Sequence, residues 1–284
     1  LPVSRSRRFP AQAHLPRGTL MAFASLRVRE MKVVVSVDAQ TAADAMRLAH
    51  DGGVEAGFLR ATKSGMRFNP SFMNPGTIFV VAYSGDEPVA SLVLIEDGPF
   101  GLPSDRAFIE EIDSFRSQGD VMFELGAWVI AQRWRRYFAI VSSLLFGAVT
   151  RRHIASDEPR RMVLAVEPHR AKLTSEIFAC ELLTEPRPYL GLPGALLVTQ
   201  RTADWADHYI NIDEGLAPRR IMAARVFDPD PDWLQVGREG PNWSDELLMG
   251  LLAESDVEAR LSAQLELVRT AKMVGAGTGT RVLA

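Results

Sequence analysis

Residues 121–130, VMFELGAWVI, constrain this chain most, because they set one carboxylate, Glu124, inside an apolar run of strand length. The run leads directly into QRWRRYFAIVSSLLFGAVTRR, an amphipathic helix expected over 135–153 with Phe138, Val141, Leu144, Leu145, Ala148 and Val149 on its apolar face. Period-two alternation places Met122, Glu124, Gly126 and Trp128 on one side of the strand and Phe123, Leu125, Ala127 and Val129 on the other. A carboxylate in such surroundings costs several kcal/mol unless it is paired or its pKa rises. Glu124 is therefore either a general base or acid working near neutrality, or one half of an ion pair with an arginine across the sheet. Gly126 inside a strand marks a bulge or a close approach, and a bulge there would splay the strand from its neighbour and free backbone N–H and C=O groups. Arg133, Arg135 and Arg136 crowd the start of the following helix, an end whose dipole favours acids. They either grip an anion such as a phosphate together with free N–H groups or form a solvated basic surface. No glycine-rich loop accompanies them.

Composition removes several classes. The 284 residues are 47% hydrophobic and 24% charged, as in an ordinary globular protein with a sizeable core. A net charge of −3 argues against nucleic acid as a partner, which would call for a large basic excess. The one cysteine, Cys180, excludes an internal disulfide and a thiolate zinc cluster and suits a reducing, cytoplasmic setting. His14, His50, His153, His169 and His208 have no metal-ligand spacing, so no metal is expected. No apolar run reaches the ~18 to 20 residues of a membrane span, so no transmembrane segment is expected. Residues 1–30 are Arg-rich, lack acids before Glu30 and contain no signal-like apolar stretch, and are expected to be a disordered leader.

In chain order, 32–37 (KVVVSV) is a first strand, followed by a helix with Thr41 and Asp44 as a capping box and Gly52 and Gly53 as its stop. The turn-rich segment 61–76 reads as a loop. Its Met66, Phe68 and Phe72 either cap the core edge or line an apolar tunnel. Segments 77–83 and 88–96, joined by the tight turn SGDE, form a hairpin. Ser104 caps a helix that repeats Phe108, Ile112 and Phe115 and stops at Gly119. After the central strand and its helix, Arg161–Val166 is a fifth strand and 169–183 a helix, with His169 at the strand end where α/β folds place ligands, or as a mere surface group. A Pro- and Gly-rich link leads to a last strand over 195–201. The fold class is α/β (α+β), a mixed central sheet flanked by helices.

This order resembles the GNAT-like acyl-CoA N-acyltransferase fold, and the local sequence resembles the long-chain N-acyl amino acid synthases (FeeM-type), relatives of the acyl-homoserine-lactone autoinducer synthases. The resemblance is carried by GTIFVVAYSGDEPVASLVLIEDGPFGLPSDRAFIEEIDSFRSQGDVMFELGAWVI and by VLAVEPHRAKLTSEIFACELLTEPRPYLGLPGALLVTQ, and covers about residues 32–201. It implies an N-acyltransferase that moves a fatty acyl group from an acyl-phosphopantetheine thioester, on acyl carrier protein or coenzyme A, to the amine of an amino acid. It further implies Glu124 as the base, backbone N–H groups around Gly126, Ala127 and Trp128 at the thioester oxygen, and Arg133, Arg135 and Arg136 on the phosphate. Met66, Phe68, Phe72, Phe79, Trp128 and His169 would line the acyl-chain and substrate pocket. No permanently bound cofactor is implied.

The chain departs from the family pattern in three places. Gly126 and Ala127 stand where the family has Ser and Arg, Ala49 follows Leu48 where an arginine is common, and Lys172, Leu173 and Thr174 occupy the region of a Phe-Tyr pair. These departures leave open a non-catalytic module that binds acyl groups or a carrier protein, beside a lactone-type synthase. The expected organisation is a leader over 1–30, a GNAT-like domain over 31–201 and a C-terminal helical extension over 202–284. That extension holds a short helix over 204–213, an irregular linker FDPDPDWLQVGREGPNW, a helix capped by Ser255 and Glu258, and a flexible GAGTGT tail. The stripe of the last helix either docks on the sheet or pairs two subunits into a homo-oligomer.

Overall fold

The computed structural model describes residues 30–154, 160–178, 180–202 and 231–237. The expected leader, the short helix over 204–213, the capped helix after Ser255 and the tail lie outside the described residues, apart from Glu30.

The elements are β1 (Met31–Ser36), α1 (Ala39–Glu55), β2 (Ile78–Ser84), β3 (Glu87–Glu96), α2 (Asp105–Ser117), β4 (Met122–Ile130), α3 (Phe138–Ile154), β5 (Arg161–Val166), α4 (Pro168–Phe178), β6 (Glu181–Leu182), β7 (Arg187–Tyr189), β8 (Leu192–Arg201) and β9 (Leu234–Val236). The strands form one mixed sheet in the order β6-β8-β5-β4-β3-β2-β1-β9, with β7 attached to β8. This is the helix-flanked α/β sheet expected from the sequence. Alternation sorts its side chains into two cores. On one face Val33, Val80, Leu92, Phe123 and Leu164 meet Val141, Leu144, Leu145 and Val149 of α3. On the other, Phe79, Val81, Val93, Ile95 and Met122 meet Ala42, Ala45 and Met46 of α1 and Phe108 and Ile112 of α2. No described helix is long and apolar enough to cross a membrane.

The expected hairpin is β2-β3, turned at Gly85, whose φ of 62° a side chain would resist. Four expectations need correction. Asp38, not Thr41, caps α1: its carboxylate accepts from the Thr41 N–H at 2.8 Å, while Asp44 instead accepts from the Tyr83 hydroxyl at 2.9 Å. The helix also runs through Gly52 and Gly53, because Gly52 packs against Val129, and a Cβ there would sit 2.6 Å from Val129 Cγ1. The helix expected over 169–183 ends at Phe178, and Glu181 and Leu182 join the sheet against Thr199 and Val198. Finally, the supposed linker adds β9, parallel to β1, with Trp233 buried under it, so the sheet extends beyond Arg201.

Candidate active site

β4 crosses the centre of the sheet, antiparallel to β3 and parallel to β5. Its ladder with β5 holds only at Met122, Phe123 and Glu124. Beyond Glu124 the two parallel strands part. The cause lies one residue after the expected position: Gly126 pairs with Val93 and Val129 with Ser91, so Ala127 and Trp128 together oppose the single residue Leu92. Ala127 takes the extra step with φ 48°, and the Ser91 hydroxyl crosses to its carbonyl oxygen at 3.0 Å. A bulge shifts the phase of alternation. Gly126, Ala127 and Val129 consequently lie on the Glu124 face, near Ile95 and α1, whereas Trp128 turns to the opposite core. There its indole packs on Phe138, Phe146 and Phe178 at centroid distances of 5.4, 4.9 and 6.2 Å. The period-two expectation that Trp128 accompanies Glu124 therefore fails at the bulge.

Glu124 is 1% exposed, on the sheet face whose core holds Phe108, Ile112 and Met122. Among the described residues no arginine pairs with it. Oε2 accepts from the Ser104 N–H at 2.8 Å, and Oε1 accepts from the Tyr189 hydroxyl at 2.8 Å. Burial raises its pKa to about 7; the Ser104 N–H, the Tyr189 hydroxyl and, more weakly, the nearby Ser104 hydroxyl hold it down, and the Asp105 charge adds slightly to the rise. The Tyr189 hydroxyl, pressed by burial and by Glu124, titrates far above the ordinary phenol range and stays a donor. The Ser104 hydroxyl is buried beside them, and among the described residues no polar atom lies at ordinary hydrogen-bond distance from it.

Both donors are held from outside. Ser104 ends the DGPFGLP segment, which Asn74 ties down by donating to the Glu96 and Gly101 carbonyl oxygens at 2.9 and 2.8 Å and accepting from the Phe100 N–H at 2.9 Å. Arg116 closes the same segment through Asp97 at 2.8 Å and Asp105 at 2.9 Å. Tyr189 arrives on β7, which Arg187 locks to α2 through Glu111 at 2.5 Å and the Ala107 carbonyl oxygen at 2.9 Å. The sequence reading missed both contributors. Ser104 was assigned only a capping role, which its side chain does not perform, and it acts through a backbone N–H that any residue carries. Tyr189 lies in the Pro- and Gly-rich link; the PYLGLPG turn before an apolar run is the hairpin signal that brings it across.

The remaining candidates divide between the two faces and the rim. Phe72 and Phe79 are buried, and Met66 and Phe68 half-buried, on the Glu124 face, with Phe72 edge-on to Phe79 at 5.8 Å. The three arginines lie not on a helix start but on a 3-10 turn, Gln132–Tyr137, ahead of α3. Arg133 pairs with Glu87, Arg135 pairs with Glu55 at 2.7 Å, and Arg136 lies over the Tyr137 ring at 4.8 Å. His169 is exposed on the first turn of α4, where Nε2 accepts from Arg170 Nε at 3.2 Å. An open depression of about 400 Å³ lies to one side, lined by Asp97, Gly98, Pro99, Gly101, Asp105 and Arg116.

Residues 44–202 match the family model of N-acyl amino acid synthase FeeM, which is more than half of the chain. Among solved structures the chain is similar to FeeM, an N-acyl amino acid synthase from uncultured soil microbes, at 16% identity over 62% of this chain and 92% of that one, with a TM-score of 0.52. That likeness shows the fold. Weaker likenesses link it to BjaI, a CoA-dependent acyl-homoserine lactone synthase (14% identity, 78% of this chain and 99% of that one, TM-score 0.47), and to the AHL synthase LasI (11%, 74% and 98%, 0.48). No curated protein matches the chain.

Proposed function

The chain belongs to the N-acyl amino acid synthase FeeM family, and from that premise we propose how its residues carry out the family's acyl transfer. It is an N-acyltransferase. The donor is a fatty acyl thioester on a phosphopantetheine arm, carried by acyl carrier protein or coenzyme A, and the acceptor is the amine of an amino acid. The neutral amine attacks the thioester carbonyl carbon, a C–N bond forms, the C–S bond breaks and the thiol departs. Glu124 takes the proton that the amine sheds and returns it to the departing sulfur, directly or through water. The observation that carries this reading is the buried Glu124 carboxylate, poised near pKa 7 and oriented by Ser104 N–H and Tyr189 hydroxyl at the point where β4 leaves β5.

Backbone N–H groups of β4 at Gly126 to Trp128, beyond its last pair with β5, are our candidates for the thioester oxygen and the oxyanion it becomes. An acyl chain threaded through the parting of the strands would touch Met66, Phe68 and Phe72 on one face and Trp128 on the other. Each methylene buried there adds about 0.8 kcal/mol to donor affinity. Arg136 is the arginine of its turn that we assign to the arm's phosphate, since Arg133 and Arg135 are paired with carboxylates. We assign the acyl-transfer unit to residues 31–201 together with β9.

The test is mass spectrometry of lipid extracts from bacteria expressing the chain, with Glu124→Gln as control, and of purified protein given both donor forms. N-acyl amino acids are expected from the wild type and not from the variant. Equal product from Glu124→Gln would remove the base role, and no product from wild type with either donor would overturn the reading.

A further inference from the structure

Among the described residues, Arg67 is a guanidinium without a counter-charge. It leaves α1's following loop with its N–H bonded to the Met46 carbonyl oxygen at 3.0 Å, and its side chain is half-buried. Its head lies 5.4 Å over the Phe58 ring and makes one long hydrogen bond, 3.5 Å, to the Leu190 carbonyl oxygen. Among the described residues no carboxylate lies within ion-pair distance of it. The other arginines of this face differ: Arg116 and Arg187 each hold carboxylates at 2.9 Å or less. Arg106, exposed on α2, adds a second positive charge that Arg67 feels, and it too has no ion pair among the described residues.

The position of Arg67 is built rather than incidental. Leu190, with φ 45°, and Gly191, with φ 88°, form the β7-β8 turn. A Cβ on Gly191 would sit 2.7 Å from the Phe58 carbonyl oxygen, so the turn is pressed onto the very segment that carries the ring under Arg67. The residue before Leu190 is Tyr189, whose hydroxyl donates to Glu124. The Arg67 charge and the Tyr189 phenol act on each other, and burial lowers the Arg67 pKa, as expected of a cation held partly out of water with nothing opposite it. A desolvated cation of this kind gains most from an arriving anion, and the guanidinium fork fits a carboxylate through two parallel hydrogen bonds.

We propose that Arg67, supported by Arg106, binds the α-carboxylate of the amino acid acceptor and so sets its amine toward Glu124. This rests on the acyl-transfer reading above. The α-carboxylate is two bonds from the amine nitrogen, so a base and a carboxylate site linked through one tyrosine match the acceptor. The donor's phosphate is the competing anion, but it lies the length of the pantetheine arm from the thioester.

The experiment compares each common amino acid with its carboxamide, both as acceptors in turnover with a long-chain acyl thioester and as ligands in equilibrium binding to the purified full chain. Wild type should prefer the acid, and Arg67→Gln should lose about tenfold to a hundredfold in KM or Kd for the acid while leaving the amide and the thioester KM unchanged. Arg67→Lys should recover part of the loss, which separates charge from folding. Equal treatment of acid and amide by the wild type, or equal loss of both in Arg67→Gln, overturns the proposal. A rise in thioester KM with acid preference intact assigns Arg67 to the donor's phosphate and also overturns it. Absence of product from every acceptor would sink the acyl-transfer reading, and the binding comparison would still decide Arg67.

Discussion

The Tyr189 hydroxyl donates to Glu124 Oε1 across 2.8 Å, joining residues 65 positions apart, while Ser104 N–H holds Oε2 at the same distance. Burial drives the carboxyl up to about 7 and these two donors hold it from rising further. The base is therefore half ionised near neutrality, and kcat/KM should show one climb with pH centred near 7, followed at higher pH by a further climb as the amino acid's own amine loses its proton. Tyr189→Phe removes a donor to a charged acceptor, a bond worth about 1.5–3 kcal/mol. The midpoint of the first climb should move up by about a pH unit or more. A pH profile of Tyr189→Phe that overlays the wild type would show that the phenol does not govern the base.

The same group costs stability. Its folded pKa of about 7 lies above the ordinary value of 4.5, so between these the folded chain keeps a proton that the unfolded chain has lost. Stability attributable to Glu124 is complete below about pH 4.5 and declines as pH rises through 7. Glu124→Gln keeps an acceptor for Ser104 without the charge. It should exceed the wild type by roughly 2–4 kcal/mol at pH 8, with the gap closing toward pH 5. Urea melts across that range decide it; a gap independent of pH would place the effect elsewhere.

His153 has the opposite sign. It is buried at the end of α3, stacked on Phe123 at 4.3 Å, and its pKa is pushed down to about 3 by burial first and then by the Arg160 and Arg152 charges. Below the ordinary 6.5 the unfolded chain takes up a proton that the folded chain refuses, so stability falls as pH drops from 6.5 toward 3. His153→Leu should flatten this acid limb, whatever its own stability at pH 7. Equal slopes in the two proteins between pH 7 and 4 would count against it.

Much of this was legible in the sequence because it rests on local chemistry. The SGDE turn fixes the β2-β3 hairpin, the stripe from Val141 to Val149 fixes α3, and a lone glutamate in an apolar strand announced itself as a perturbed acid. What escaped depends on the chain folding back. The backbone phase flips at Ala127, an ordinary residue that nothing marks for a positive φ, and so Trp128 changed faces. Ser104 contributes a main-chain group, and Tyr189 comes from a segment whose prolines read as a link. β9 has three residues, too few for a period to show.

The contact between Gly52 and Val129 places α1 directly over β4 just past the bulge, and it sets up a double-mutant test. By helix propensity alone Gly52→Ala should stabilise α1 by about 1 kcal/mol. The new Cβ would sit 2.6 Å from Val129 Cγ1, on a β-branched side chain whose χ1 is restricted. Overpacking of that kind costs typically about 1–3 kcal/mol, so Gly52→Ala should be net destabilising by about 1 kcal/mol. Val129→Ala, which leaves a gap, should also destabilise. Together the two should be more stable than the sum of the single changes by about 1–2 kcal/mol, because each removes the other's fault. Urea denaturation of the four proteins measures this coupling. A Gly52→Ala variant at or above wild-type stability would mean that propensity outweighs the clash and that the glycine is not needed for the helix to approach the strand that carries Glu124.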